Sequence, residues 1–162
     1  MKNSSSSSPQ RGFTLIELLI VIMIIVILSA ISMGGYGYVT RKQADSKATI
    51  QIGLLSKALE EYKLDNGEYP PSGNTNSIFK LLYWNGTAAN SQEKIYLSDL
   101  DPNSAAQGWI DGIGSAAKIV DPWAKEYIYR RGDNPAAKNP DFDLASAGMD
   151  GIANTTDDID NY

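Results

Sequence analysis

The sequence predicts an α+β fold: a long N-terminal α-helix, membrane-spanning in its first half, packed by its second half on a small antiparallel β-sheet head. Three observations predict it. Residues 13–33 are a near-continuous apolar block, an apolar stripe at helical steps follows over 44–62, and beyond Pro70-Pro71 short alternating runs replace it. The 162 residues, 43% hydrophobic and 20% charged, suit one ordinary domain. Because the apolar residues are so concentrated at 13–33, that average describes neither part well.

Composition narrows the chemistry. The chain has no Cys and no His, which removes thiol chemistry, disulfides, imidazole bases and the commonest transition-metal ligands. No grouping of Ser, Lys or paired carboxylates suggests a nucleophile or an acid/base pair, so no enzyme is expected. The formal charge is −5, and Asp141, Asp143, Asp150, Asp157, Asp158 and Asp160 fall in the last 22 residues with no Lys or Arg among them. Such a tail repels nucleic acid. A Cys-free head, if exported, must be held by packing or by a hard cation.

Residues 1–12 read as a leader: Met1-Lys2-Asn3, five serines, then Pro9-Gln10-Arg11-Gly12, with no period that buries anything. Residues 13–33 form a transmembrane helix in this reading. Their 21 residues rise about 30 Å as a helix, the thickness of a hydrocarbon core. Ile and Val disfavour helix in water, but lipid leaves a lone segment no other way to satisfy its backbone. Glu17 interrupts the start of the block, and a carboxylate there is costly without a partner.

Arg11-Gly12-Phe13-Thr14-Leu15-Ile16-Glu17-Leu18 resembles the prepilin signature shared by type IV pilins and type II secretion pseudopilins. The resemblance implies cleavage after Gly12 by a prepilin peptidase and methylation of Phe13, giving N-methylphenylalanine. It also implies that the new Phe13 amine meets Glu17 of a neighbouring subunit, neutralising two charges in a low dielectric and setting the register of a helical filament. The leader would lie inside and the head outside. Loss of Lys2 and Arg11 takes the side-chain charge from −5 to −7. Where many relatives carry a proline, this chain has Gly34-Gly35, and glycine costs about 1 kcal/mol per helical position. A weakened helix is therefore expected at Gly34, Gly35 and Gly37.

Residues 34–66 continue the helix as an amphipathic rod, with Ala44, Ala48, Ile52, Leu55, Leu59 and Tyr62 on one stripe. Asn66 or Gly67 suits the left-handed cap, and Pro70-Pro71 prevents a restart. Residues 67–162 form the head. A short helix is expected over 77–84, a strand over 126–130 with a partner over 141–146, and a turn at Asp133-Asn134-Pro135. Residues 85–120 show little period and are not placed. Trp84, Trp109 and Trp123 are expected in the core.

Two head segments resemble major type II secretion pseudopilins: Asp121-Pro122-Trp123-Ala124-Lys125, like their Asp-Pro-Trp-Gly segment, and the helix exit Asn66-Gly67-Glu68-Tyr69-Pro70. The tail adds a third. A loop folding Asp150 back against Asp157 and Asp158 needs a hard cation, and Ca²⁺, with six to eight oxygen ligands, tolerates irregular loops. Gly148 and Gly151 give freedom to wrap, and the spacing is not an EF-hand. Its likeness to the pseudopilin calcium loop implies a structural calcium held by Asp150, Asp157 and Asp158. Carbonyls near Ala147 and Ile152 and the oxygen of Ser146 or Thr155 would complete the shell.

The resemblance as a whole implies a structural subunit of a type II secretion pseudopilus that helps export folded proteins. It implies a homopolymer served by prepilin peptidase, an assembly platform and an ATPase. The subunit would cross the inner membrane once, with its head in the periplasm. The alternative is a type IV pilin of a surface filament for adhesion, motility or DNA uptake. Many such pilins close the C-terminal loop with a disulfide, which this chain cannot form. The calcium-like tail and the Asp-Pro-Trp segment favour secretion.

Overall fold

A computed structural model describes residues 12–83, 94–102 and 108–162, without the side chains of 32–36 and 115. The chain divides after Thr40 into two compact units. Helix α1 (Leu15–Asn66) contributes to both, and its secondary structure runs unbroken through Gly34, Gly35 and Gly37.

In the first unit α1 carries no polar side chain from Leu18 to Leu28. From Leu15 to Ile31 its large hydrophobic side chains range from 49% exposed at Ile20 to 88% at Leu15. Among the described residues no helix is long and apolar enough to cross a membrane.

In the second unit α1 behaves as its stripe requires. Ala48, Ile52, Leu55, Ala58 and Leu59 are buried, with Ala44 and Tyr62 half-buried at the margins. Gly67 takes the left-handed position (φ +83) and its N–H reaches the Lys63 carbonyl at 2.7 Å. The exit is then pinned to the sheet: the Tyr129 hydroxyl donates to the carbonyl of Pro70 at 2.8 Å.

Helix α2 (Thr75–Leu82) begins two residues earlier than expected because the Asn74 side chain accepts the Ser77 N–H at 3.1 Å, an N-cap. It buries Thr75, Ile78, Phe79 and Leu82. Trp84 lies outside the described residues. Within the stretch that sequence did not place, β1 (Ile110–Asp111) and β2 (Lys118–Ile119) form a short hairpin. A one-turn 3₁₀ helix stands at Ser98–Leu100 and another at Gly114–Ala116, inside the hairpin.

The main sheet is antiparallel, in the order β3-β4-β5. Strand β3 (Ile128–Arg131) pairs with β4 (Phe142–Ser146) with Tyr129 opposite Leu144, much as alternation predicted. Glu126, expected in that strand, instead makes an isolated bridge with Val120. The acidic tail returns as β5 (Ile159–Asp160), with Ser146 opposite Ile159. Strand β4 is thus central, and all five of its residues are buried. Phe79, Leu82, Leu100, Ile119, Tyr129, Phe142 and Leu144 pack with Leu55 and Leu59 of α1 as one core. Trp109 joins it, whereas Trp123 is only half-buried, so the core assignment of Trp123 is corrected.

Candidate functional site: the helix start and the acidic loop

Gly12 and Phe13 stand exposed ahead of α1. Thr14 is the N-cap. Its Oγ1 accepts the Glu17 N–H at 3.3 Å, while Glu17 Oε2 accepts both the Thr14 N–H and the Thr14 hydroxyl at 2.8 Å. This is a reciprocal capping box, satisfying donors the helix leaves open. Glu17, expected to meet a neighbour's Phe13 amine, is engaged within its own chain. Thr14 went unread in the sequence although its signal was present, Thr-x-x-Glu ahead of an apolar run.

The acidic loop spans the gap between β4 and β5, whose pairing of Ser146 with Ile159 brings its two ends together. Gly148, Gly151 and Asn154 turn the chain with φ of +61, +71 and +68. At Gly148 there is no room for a side chain, since a methyl group would lie 2.4 Å from the Asp157 carbonyl oxygen and 2.7 Å from its Oδ2.

Asp157 is the hub. Its Oδ2 accepts the Met149 N–H at 2.9 Å and the Asp150 N–H at 3.2 Å, and its Oδ1 accepts the Thr155 hydroxyl at 2.7 Å. The Thr155 hydroxyl, then the Asp150 N–H, hold this carboxyl below the usual carboxylate range. Asp158 Oδ2 accepts the Asn154 N–H at 2.6 Å, and Asp150 Oδ1 accepts the Ile152 N–H at 2.7 Å. The Ala147 carbonyl accepts the Gly151 N–H at 3.1 Å.

Thr155 Oγ1 lies 2.7 Å from Asp157 Oδ1, 3.0 Å from the Ile152 carbonyl and 3.4 Å from Asp158 Oδ1. One hydroxyl proton cannot serve three acceptors. Oxygens converging with too few protons are the donor chemistry a hard cation takes. Asp150 is joined to this set through its N–H rather than its carboxylate. Among the described residues no three His, Cys, Asp or Glu side chains group tightly enough to hold a metal.

Ser146 has protein partners of its own. It is buried on β4, donates to Asp121 Oδ2 at 2.5 Å and accepts the Gly148 N–H at 3.2 Å. Asp121, also buried, accepts the Trp123 and Lys125 N–H groups at 3.0 and 2.8 Å through Oδ1. One buried carboxylate thereby ties the Asp-Pro-Trp turn to the root of the acidic loop, a link no sequence spacing announces. The turn leaves Ala124 at φ +61, a conformation that costs a non-glycine residue roughly 1–2 kcal/mol.

The model of the prokaryotic N-terminal methylation motif matches residues 7–33, and that of type II secretion system protein G matches 38–103 and 91–162. The type II secretion system core protein G of Escherichia coli K12 is 34% identical over 157 residues, covering 97% of this chain and 94% of its own. Its Pseudomonas aeruginosa counterpart is 33% identical over 159 residues, covering 94% of this chain and 95% of its own. The solved major pseudopilin of enterohaemorrhagic Escherichia coli aligns at 23% identity with a TM-score of 0.47, over 78% of this chain and 93% of its own.

Proposed function

The chain belongs to the type II secretion system protein G family, and on that premise we propose that it acts as a membrane-anchored periplasmic subunit polymerising through its N-terminal helix. It is a structural subunit of a secretion pseudopilus. The observation that carries the mechanism is the helix from Leu15 to Ile31, whose large apolar side chains are about half or more exposed on every face. Exposed apolar surface costs about 25 cal/mol per Å² in water, and a helix apolar all round seeks lipid or other apolar helices. Staggered copies of the same helix supply the second cover, and export from lipid into a filament trades one for the other.

Processing prepares that exchange. Cleavage after Gly12 and methylation of Phe13 leave a positive amine four residues from Glu17. To meet the amine of a neighbour, Glu17 gives up its bonds to Thr14 and gains a charge-assisted partner, which is stronger where water is scarce. The capping box keeps the carboxylate satisfied until then. Prepilin peptidase, an assembly platform and its ATPase are the partners this sequence of events requires, with the inner membrane holding the subunit before assembly.

The acidic loop staples the head. Calcium, when bound, supplies positive charge that neutralises Asp150, Asp157 and Asp158. Asp157 and Asp158, the Thr155 hydroxyl and the Ile152 carbonyl would hold it. Gly148 keeps Asp157 close, and the Ala147 carbonyl closes the first turn. Nothing in this set performs acid/base or nucleophilic work, and the role is structural.

Mass spectrometry of the mature protein is expected to find N-methylated Phe13 as its first residue, and deletion of the gene is expected to stop export of folded proteins. An uncut Met1 would overturn the assembly mechanism. Intact export with loss of a surface filament would move the chain to the pilin reading.

A further inference from the structure

Arg41 and Lys42 open the second unit, and both are exposed. With Gln43 they make three successive exposed positions on α1, and burial against the head begins only at Ala44. Among the described residues neither forms an ion pair within 4 Å. Asp45, four residues after Arg41 and half-buried, does not close one with it.

Charge is segregated along this unit. Residues 41–57 hold four basic side chains and one acidic, whereas residues 58–162 hold eight basic and seventeen acidic. The helix start is thus the basic part of an otherwise acidic body. In sequence Arg41 follows Met33, the end of the apolar block, by eight residues, a helical rise of about 12 Å. Helical side chains lean toward the N-terminus, and the long Arg and Lys stems carry their charged heads further the same way. In a subunit anchored by that block, both groups reach back toward the headgroup layer. Basic residues beside a span are disfavoured on the translocated side, so a pair kept there without a carboxylate calls for an anion from outside the chain. Arginine's planar fork takes a phosphate through two parallel hydrogen bonds, and lysine takes one as a point charge.

We propose that Arg41 and Lys42 bind the phosphate headgroups of anionic phospholipid in the periplasmic leaflet while the subunit waits in the membrane. This rests on the membrane-anchored reading above. The acidic remainder of the unit is repelled by such a surface, so the pair holds the helix start to the bilayer while the head stands off it. Extraction into a filament gives these contacts up, and it costs more from a bilayer richer in anionic lipid.

The test offers the full-length chain in detergent equal amounts of phosphatidylglycerol and phosphatidylcholine with the same acyl chains, and counts retained lipid by native mass spectrometry. The unmodified chain is expected to retain phosphatidylglycerol in preference. Arg41→Gln with Lys42→Gln is expected to lose about five-fold of that preference per residue, from the usual attraction of a surface basic residue to anionic lipid. R41K with K42R is expected to follow wild type, and the preference is expected to shrink as salt rises. An unchanged preference in R41Q/K42Q would overturn the lipid site, and loss of filaments by that variant would then assign the pair to a second copy of the chain. Displacement of the lipid by inorganic phosphate, but not by chloride at the same ionic strength, would also overturn it and leave a site for free anions. Release of the unmodified chain from membranes by alkaline carbonate would overturn the anchored reading itself, and shows itself without any variant.

Discussion

Gly148→Ala is the substitution that bears most directly on how the acidic loop is held. Gly148 and Gly67 both sit at left-handed φ, +61 and +83, so alanine at either meets the same backbone penalty of roughly 1–2 kcal/mol, less the 0.4–1 kcal/mol gained by stiffening the unfolded chain. They differ in space. A methyl group at Gly67 has nothing within 4 Å, whereas at Gly148 it would meet the Asp157 carbonyl oxygen at 2.4 Å and Oδ2 at 2.7 Å. Overpacking a buried position adds about 1–3 kcal/mol, because Asp157 must retreat and loosen its hold on the Met149 and Asp150 N–H groups. The expected totals are about 1 kcal/mol for G67A and about 2–4 kcal/mol for G148A. At 2–4 °C per kcal/mol for a chain of this size, Tm falls a few degrees in the first and roughly 5–15 °C in the second. Thermal unfolding of the full-length chain in detergent, followed by tryptophan fluorescence with and without calcium, reads both. G148A should also lose most of the calcium-dependent rise in Tm. Equal shifts for the two variants would refute the claim that the loop closes around Gly148.

Three further outcomes follow from other contacts. Ala124→Gly should raise stability by about 1 kcal/mol, since relief of left-handed strain exceeds the entropy cost of glycine, and a lower Tm would show that Ala124 is not strained. Tyr127→Phe should cost about 1–3 kcal/mol by denaturant titration, because the Tyr127 hydroxyl donates to buried Gln51 Oε1 at 2.6 Å and Gln51 Nε2 has no partner to compensate; adding Gln51→Met should recover much of the loss, and no recovery would count against the account. The folded-state pKa of Asp157 lies below its ordinary 3.8, so its contribution is present above about pH 4 and disappears as pH falls through the folded value; Thr155→Val, which removes the largest cause, should shrink the acid-side loss seen in pH melts, and an unchanged acid limb would argue against that hydrogen bond.

Much of the architecture was legible wherever a period ran long enough to read. The stripe from Ala44 to Tyr62 names the buried face of α1, Gly67 and Pro70 mark its exit, and alternation over 126–130 and 141–146 finds the β3-β4 pair to within two residues. Strands of two residues carry no period, which is why β1, β2 and β5 went unseen. The start of α2 depends on a single Asn74 side chain, and a cap of that kind is easily passed over beside an apolar run. At the candidate site the residue types were readable and their partners were not. Spacing grouped Asp150, Asp157 and Asp158, but it could not reveal that Ser146 donates to Asp121.

The sequence alone determined that an all-round apolar helix stands ahead of an amphipathic one, and that six carboxylates crowd a tail without a balancing base. Both are properties of side chains counted along the chain, and they survive any arrangement of the head. Only the tertiary structure decided which donor each carboxylate meets. A hydrogen bond forms over about 3 Å between groups that may be separated by many residues, and the pairing of β4 with β5, the left-handed turns and the buried Asp121 bring those groups within reach.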